Sequence, residues 1–277
     1  MQTTLIAEAR KILIKIGSNT LADQEGRINA AFLADFADQV AALVKAGKQI
    51  LLVSSGAQVA GLSTLGKWAR KQDLHYKQAL CAVGQVELMA AWARAFAPQQ
   101  LHIAQILLTR DDFGDPIRTL NMRNTLFTLV DEGIIPIINE NDTVSVEEIK
   151  IGDNDTLAAQ SAILWSAELV ILFSDIDGLY HKNPKEDPSA ELVQEVRDIA
   201  AIRSQISIGG TNSFGTGGIA TKLDAAEQAV SYGIPLILAH GGRHRPLEAL
   251  AAGTQRATSF FATTTRHGVL EGPRGGE

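Results

Sequence analysis

Short acidic and amide side chains cluster twice in this chain, as Asn139-Glu140-Asn141-Asp142 and as Asp153-Asn154-Asp155. The first cluster follows the apolar run 134–138, and the second opens an apolar helical pattern at Thr156. Asn and Asp dominate turns and helix caps, and that chemistry would account for either cluster alone. Two clusters joined by the alternating, hairpin-like segment 143–150 point instead to a crevice that grips a small polar ligand.

Two lysines extend the picture. Lys15 interrupts the otherwise apolar strand pattern Lys11-Ile12-Leu13-Ile14-Lys15-Ile16, just before the turn Gly17-Ser18-Asn19. A lysine there is costly unless its stem carries the charge to water or the ammonium meets a fixed anion. Lys222 stands at a helix start behind Gly215-Thr216-Gly217-Gly218-Ile219-Ala220-Thr221, and a further glycine turn, Ser54-Ser55-Gly56-Ala57, follows the strand pattern 50–54. Backbone N–H groups at strand ends and helix N-termini favour anions. Neither standard nucleotide fingerprint is met: Thr221 precedes Lys222 where a P-loop has Gly, Leu223 follows it, and position 220 is Ala where G-x-G-x-x-G ends in Gly. Two lysines and several glycine N–H groups, with carboxylates opposite, nevertheless suggest phosphoryl transfer, a chemistry of positioning and charge neutralisation. No residue stands out as a catalytic base. None is needed if the acceptor is a carboxylate already ionised at neutral pH.

The elements that must hold these residues alternate. Strand patterns at 11–16, 50–54, 103–108, 134–138, 169–173 and 235–239 are interleaved with helical patterns at 30–46, 76–96, 121–131, 156–166 and 221–232. Such alternation predicts an α/β fold with a mainly parallel sheet between two layers of helices, and continuous apolar strands such as Ile50-Leu51-Leu52-Val53 fit burial on both faces. Segments 180–191 and 204–218 read as exposed loops, and a boundary between two lobes sharing one sheet falls near residue 166. The Gly- and Thr-rich tail, 263–277, reads as disordered.

Other features bound the function. With 25 basic and 31 acidic residues the net charge is −6, and no long basic run offers a nucleic-acid surface. The single cysteine, Cys81, sits in an apolar stretch and reads as a packed thiol. No secretory h-region opens the chain, and no apolar run approaches the roughly 18 residues of a membrane span, so a cytoplasmic protein is expected. His240-Gly241-Gly242-Arg243-His244 reads as a turn rather than a zinc site, because two glycines break any shared helical face and no third ligand lies nearby. Asp111-Asp112, after Thr109-Arg110, reads as capping, so no protein-built metal site is expected. Met89, Trp92 and Phe96 read as a packing stripe, and Trp68, Trp92 and Trp165 form no stacking platform.

The motifs together resemble the amino acid kinase family from about residue 11 to about 262. The carriers are Lys15-Ile16-Gly17-Ser18, Val53-Ser54-Ser55-Gly56-Ala57, Ala82-Val83-Gly84-Gln85, Leu107-Leu108-Thr109-Arg110, Leu120-Asn121-Met122-Arg123-Asn124-Thr125, Ile138-Asn139-Glu140-Asn141-Asp142, Gly152-Asp153-Asn154-Asp155, and Gly215-Thr216-Gly217-Gly218 with Thr221-Lys222. The resemblance implies one domain, 1–262, built as a three-layer sandwich around a mainly parallel sheet of about eight strands. An acceptor lobe would span 11–165 and a nucleotide lobe 166–262. It implies transfer of the γ-phosphoryl group of ATP, with Mg²⁺ bound through the nucleotide, to the side-chain carboxylate of L-glutamate at the start of proline synthesis.

By position, the resemblance makes Lys15 and Lys222 the cations flanking the migrating phosphoryl group and Asp155 the residue that holds both. Gly17 and Gly56 would donate backbone N–H groups. Ser55, Asp142 and Asn154, with Asp153 beside them, would bind glutamate: a free α-amino group needs carboxylates, and an α-carboxylate needs neutral donors. Ser174, Asp175 and Thr216, Gly217, Gly218, Ile219, Ala220, Thr221 and Lys222 would contact the nucleotide. L-Glutamate and ATP are the implied partners, with proline a candidate feedback inhibitor and a homo-oligomer, dimer or tetramer, the expected assembly. Many relatives carry a further C-terminal PUA domain that this chain stops short of, and the loop His181-Lys182-Asn183-Pro184-Lys185-Glu186 departs from the shorter loop common among them. Aspartate, N-acetylglutamate, carbamate or a nucleoside monophosphate are alternative acceptors on the same fold. A non-catalytic nucleotide-binding protein is another. Asp142 and Asp153 favour a free amine, and Lys15, Asp155 and Lys222 together count against mere binding.

Overall fold

A computed structural model describes residues 2–66, 73–145, 154–182, 184, 187, 189–205 and 218–261. Eight strands form one sheet: β1 (Lys11–Ile16), β2 (Gln49–Ser54), β3 (Ile103–Leu108), β4 (Ile135–Glu140), β5 (Leu169–Ser174), β6 (Glu195–Val196), β7 (Leu236–His240) and β8 (Ala257–Phe260). The order across the sheet is β3-β4-β2-β1-β5-β7-β8-β6, and every pairing is parallel except β7 with β8. The helices are α1 (Gln2–Glu8), α2 (Ser18–Leu21), α3 (Ala30–Lys45), α4 (Ala57–Leu65), α5 (Leu74–Phe96), α6 (Pro116–Asp131), α7 (Asp155–Trp165), α8 (Ile199–Gln205), α9 (Ile219–Ser231) and α10 (Pro246–Ala251).

The pleat of the central strands sorts their side chains into two cores, because successive residues point to opposite faces. Ile12, Ile14 and Ile16 of β1 and Leu52 of β2 pack with Leu33 and Phe36 of α3 and with Leu88 and Trp92 of α5. Leu13, Val53, Ile138, Val170 and Leu172 pack on the other face with Leu157, Ala158 and Ala162 of α7 and Leu223 and Ala226 of α9. Strands β4 and β5 are buried throughout, as parallel strands covered on both sides must be. Lys15 has the parity of Leu13, so its side chain leaves β1 toward α7 and α9. That single fact of register aims it at Asp155 and Lys222.

Sheet order also locates the crevice. From β1 the chain passes to β2, then to β3 at the sheet edge, back to β4 between β3 and β2, and crosses to the opposite flank of β1 as β5. The carboxyl ends of β1, β2, β4 and β5 therefore surround a topological switch point, where ligands of open α/β sheets bind.

Several elements differ from the sequence expectation. Helix α6 begins at Pro116 rather than 121, because Asp115 accepts hydrogen bonds from the Ile117 and Arg118 N–H groups and Pro116 suits the first turn. Strand β4 runs on to Glu140, so the polar cluster begins inside the sheet. Helices α1, α2, α4, α8 and α10 and strands β6 and β8 were not anticipated, and β8 gives the sheet its one antiparallel pairing. Asp111-Asp112 is capping as expected: Asp112 closes a capping box with Thr109 and pairs with Arg118. Cys81 is buried, and Trp92 stacks on Phe96 with Met89 packed beside them. The expected hairpin beyond Ser145, Trp68 and the tail 263–277 lie outside the described residues, as do Asp153, Thr216 and Gly217. Among the described residues no helix is long and apolar enough to cross a membrane.

Candidate active site

At the centre of the crevice one carboxylate joins two ammonium groups. Asp155 Oδ1 lies 2.6 Å from Lys15 Nζ, and Asp155 Oδ2 lies 2.9 Å from Lys222 Nζ. The three residues come from the middle of the sheet (β1), the first turn of α7 and the first turns of α9. Asp155 has no solvent exposure, and the lysines retain 4 % and 8 %. An aspartate in the first turn is favoured by the helix dipole. Buried charges persist where they are paired, and removing one partner is strongly destabilising. The bridge places two ammonium groups side by side, with Asp175 acting on Lys222 from the flank.

Beside it lies a web of neutral amides. Asn154 precedes α7 as its N-cap, yet its side chain makes no capping hydrogen bond. Instead Asn154 Nδ2 donates to Ser55 Oγ at 3.0 Å and to Asn139 Oδ1 at 2.7 Å. This distinguishes the second polar cluster from ordinary cap chemistry: a capping Asn would turn its oxygen back on its own helix. Among the described residues Asn154 Oδ1 is buried without a hydrogen-bond partner, as is Asp142 Oδ1. Buried polar atoms in native proteins almost always have partners, so these two orphans are candidate acceptors for a ligand's donors. The first cluster divides its labour, since Asn141 does turn work, accepting from the Val144 and Ser145 N–H groups through its carbonyl.

Asp142 is a strongly perturbed acid. Burial pushes it up to about 7, the nearby charge of Glu140 adds to the rise, and a hydrogen bond from the Cys81 thiol opposes it. Gly56, at φ 108°, sits in the left-handed region that L-residues avoid, and it turns the chain from β2 into α4 so that Ser55 faces Asn154.

On the other flank Ser174 Oγ donates to Asp175 Oδ1 at 3.1 Å, and Asn19 Nδ2 reaches Asp175 Oδ2 at 3.4 Å. Burial acts to raise Asp175, but these hydrogen bonds and the charge of Lys222 outweigh it and hold the acid below the usual carboxylate range. Gly218 precedes α9, Thr221 Oγ1 bonds the Gly218 carbonyl at 3.0 Å, and Ile219 packs on the core while Ala220 is exposed. The Gly17 N–H is engaged with the Phe173 carbonyl at 3.3 Å, tying the first glycine turn to the end of β5. Among the described residues no three His, Cys, Asp or Glu side chains converge as a metal site. His240 Nδ1 accepts from Gly242 N–H at 2.9 Å, as a turn at the end of β7 requires.

The structure thus brings together Lys15, Asp155, Lys222, Ser55 and Asn154, with Asp142 and Asp175 on opposite flanks. Sequence reasoning passed over two buried residues of the web. Asn139 Nδ2 donates to Gln85 Oε1 at 2.8 Å, and Asn139 Oδ1 also accepts the Glu140 N–H at 2.9 Å. Asn139 stood in a motif already singled out, and Gln85 ended another, Ala82-Val83-Gly84-Gln85. A buried amide within an apolar helix was the available signal.

Known proteins resemble this chain in sequence and in fold. A protein described as glutamate 5-kinase from Alkaliphilus metalliredigens is 60% identical over 258 residues, covering 93% of this chain and 98% of its own. One of the same description from Alkaliphilus oremlandii is 56% identical, covering 94% and 99%. Among solved structures, carbamate kinase from Giardia lamblia bound to AMP-PNP superimposes with a TM-score of 0.65 at 12% identity, covering 92% of this chain and 99% of its own. UMP kinase from Ureaplasma parvum does so with 0.63 at 14%, covering 91% and 98%. At such identities these structures speak to the fold alone. The sequence pattern of the amino acid kinase family matches residues 10–240. With that match over most of the chain, and relatives this similar, the chain belongs to the amino acid kinase family.

Proposed function

We infer that this chain transfers the γ-phosphoryl group of ATP to the side-chain carboxylate of L-glutamate, giving L-glutamyl 5-phosphate, the first step of proline biosynthesis. The Asp155 bridge between Lys15 and Lys222 carries the reading, because it fixes two cations beside a pocket of amides and acids. The relatives described as glutamate 5-kinase support the choice of acceptor.

The residues divide the chemistry between them. Asp142 and the orphaned Asn154 Oδ1 would accept the α-ammonium group, while Ser55 and the Gly56 N–H would receive carboxylate oxygens. The acceptor carboxylate is ionised at neutral pH, so no side chain needs to remove a proton. Lys15 and Lys222 would offset the charge that spreads over the phosphoryl oxygens in the transition state, and Asp155 would hold both ammonium groups in place beforehand. Ser174, Asp175 and the start of α9, with Thr216 and Gly217 before it, would take the nucleotide. Mg²⁺ characteristically keeps its own waters and substrate phosphates as ligands, with few protein carboxylates, which fits a crevice whose central carboxylate is held by lysines. Bound through ATP, it would supply further neutralisation of phosphate charge. The same reading carries an acceptor lobe and a nucleotide lobe, a homo-oligomer, proline as the feedback inhibitor to test, and the cytoplasm as the compartment.

An acceptor panel tests it. Purified protein with Mg-ATP is offered glutamate, aspartate, N-acetylglutamate, carbamate and UMP; acyl phosphate is trapped as hydroxamate, and ADP release is followed for the last two. Hydroxamate from glutamate is expected. Silence with glutamate and turnover with another acceptor would overturn the assignment.

A further inference from the structure

Helix α5 meets the acceptor side of the crevice along one face. Gln78, Cys81 and Gln85 are spaced i, i+3 and i+7, which stacks them on one side of a helix. All three engage the end of β4. Gln78 Nε2 donates to the Asp142 carbonyl at 3.0 Å, the Cys81 thiol donates to the Asp142 carboxylate, and Gln85 Oε1 accepts from Asn139 Nδ2 at 2.8 Å. The helix is held there by backbone contact. A Cβ on Gly84 would overlap the Ala57 carbonyl, and one on Gly61 would overlap the Leu80 carbonyl, so α4 and α5 touch main chain to main chain. Helix α4 in turn begins at the Gly56 turn.

The amides behind this wall have a fixed sense. An amide side chain offers an acceptor at one end and donors at the other. Backbone N–H groups cannot reverse, and the Glu140 N–H pins Asn139 Oδ1 at 2.9 Å. Asn139 must then present Nδ2 to Gln85 and share its oxygen with Asn154 Nδ2 at 2.7 Å. Asn154 Nδ2 is also spent on Ser55, so the group it has left for a ligand is its buried oxygen, Oδ1. Among the described residues Gln85 Nε2 is likewise buried without a partner. The relay runs Gln85, Asn139, Asn154, and it ends at an acceptor.

We propose that Gln85 is a positioning residue of the acceptor site: by holding Asn139 Nδ2 it keeps Asn139, and through it Asn154, oriented so that Asn154 Oδ1 meets the α-ammonium group of the substrate. This rests on the glutamate reading above and adds a residue that acts without touching the reacting atoms. Replacing Gln85 by Met keeps the length and removes the acceptor, which leaves Asn139 Nδ2 buried and unpaired, a state that costs enough to drive it out of place.

Steady-state kinetics of the whole protein test the idea with glutamate and ATP varied separately. Gln85→Met should raise KM for glutamate about tenfold, the order of one lost buried hydrogen bond, while KM for ATP stays near its parent value and circular dichroism shows the fold retained. Gln85→Glu, which still offers an oxygen to Asn139, should bring KM for glutamate most of the way back. A glutamate KM unmoved in Gln85→Met, both KM values rising together, or Gln85→Glu as impaired as Gln85→Met would each overturn the proposal while leaving the glutamate reading intact. A parent enzyme that forms no hydroxamate from glutamate would overturn that reading and this inference with it.

Discussion

If Asp142 receives the α-ammonium group of glutamate, it must be ionised to do so, and its environment places that ionisation in the physiological range. A carboxylate normally near 3.8 is pushed to about 7, first by burial and then by Glu140. In free enzyme it is then about nine-tenths ionised at pH 8 and about one-tenth at pH 6, so kcat/KM for glutamate should fall about tenfold between those values. Glutamate contributes nothing to that slope, because its own groups titrate well outside the window. The assay is initial rate at saturating Mg-ATP, with Asp142→Asn run in parallel to remove any titration that belongs to the nucleotide. The substituted enzyme should be weaker throughout and flat with respect to this ionisation. Stability must move the other way. Because the folded state raises this pKa, the native protein keeps a proton that the unfolded chain releases between about pH 4 and pH 7. Native stability therefore falls as pH rises through that window, by on the order of 4 kcal/mol at full ionisation. Asp142→Asn should consequently be more stable than its parent at pH 8 and lose that advantage near pH 4. Parallel kcat/KM profiles for parent and Asp142→Asn from pH 6 to pH 8 would refute the ammonium role.

Two further substitutions probe the other half of the site and its scaffold. Lys222→Ala leaves Asp155 paired with Lys15 and deletes one charge aimed at the transition state, so kcat should drop about 10²–10³-fold with the fold retained by circular dichroism; turnover close to the parent would remove Lys222 from the chemistry. Gly84→Ala pushes a methyl group into the Ala57 carbonyl with main chain on both sides, and overpacking of this kind costs about 3 kcal/mol or more, or about 6 °C or more in Tm for a chain of this size. A midpoint within about 2 °C of the parent would show that α4 and α5 can separate at little cost.

What could be read from the sequence tracks what each residue's neighbours in the chain determine. Continuous apolar runs announced β1, β2, β4 and β5, because burial on both faces leaves no polar alternation to misread. Helix α4 was missed for the opposite reason: Ala57-Gln58-Val59-Ala60-Gly61 has almost no apolar periodicity, and the helix is specified by the approach of Gly61 and Gly84 across the interface. Strand β8 pairs backward with β7, and no local pattern distinguishes an antiparallel return at a sheet edge from another parallel strand. In the site, the meeting of Lys15 with Asp155 and Lys222 was implied by resemblance, and geometry now supplies its cause in the parity of β1. Gln85 stayed hidden because its meaning lies 54 residues away at Asn139. Gly17 shows the limit of reading turns by type, since its N–H engages the sheet beside it.

The start of α7 ties the two halves of the crevice together. Asn154 and Asp155 are consecutive, yet their side chains diverge: Asn154 reaches Ser55 just past β2 and Asn139 within β4, while Asp155 reaches Lys15 and Lys222. Both residues stand at the start of one helix, so a rigid-body displacement of α7 moves both side chains at once. On the proposed reading, a change that shifts α7 as a body must therefore disturb glutamate binding and turnover together. Gln85 and Asp142 touch only the amide and acid side, so their substitution should divide KM from kcat. Lys222 belongs to the charge bridge and should divide them in the opposite sense. The separation of those effects follows from which way two neighbouring residues face, and that direction is set by the sheet order that brings β5 back beside β1.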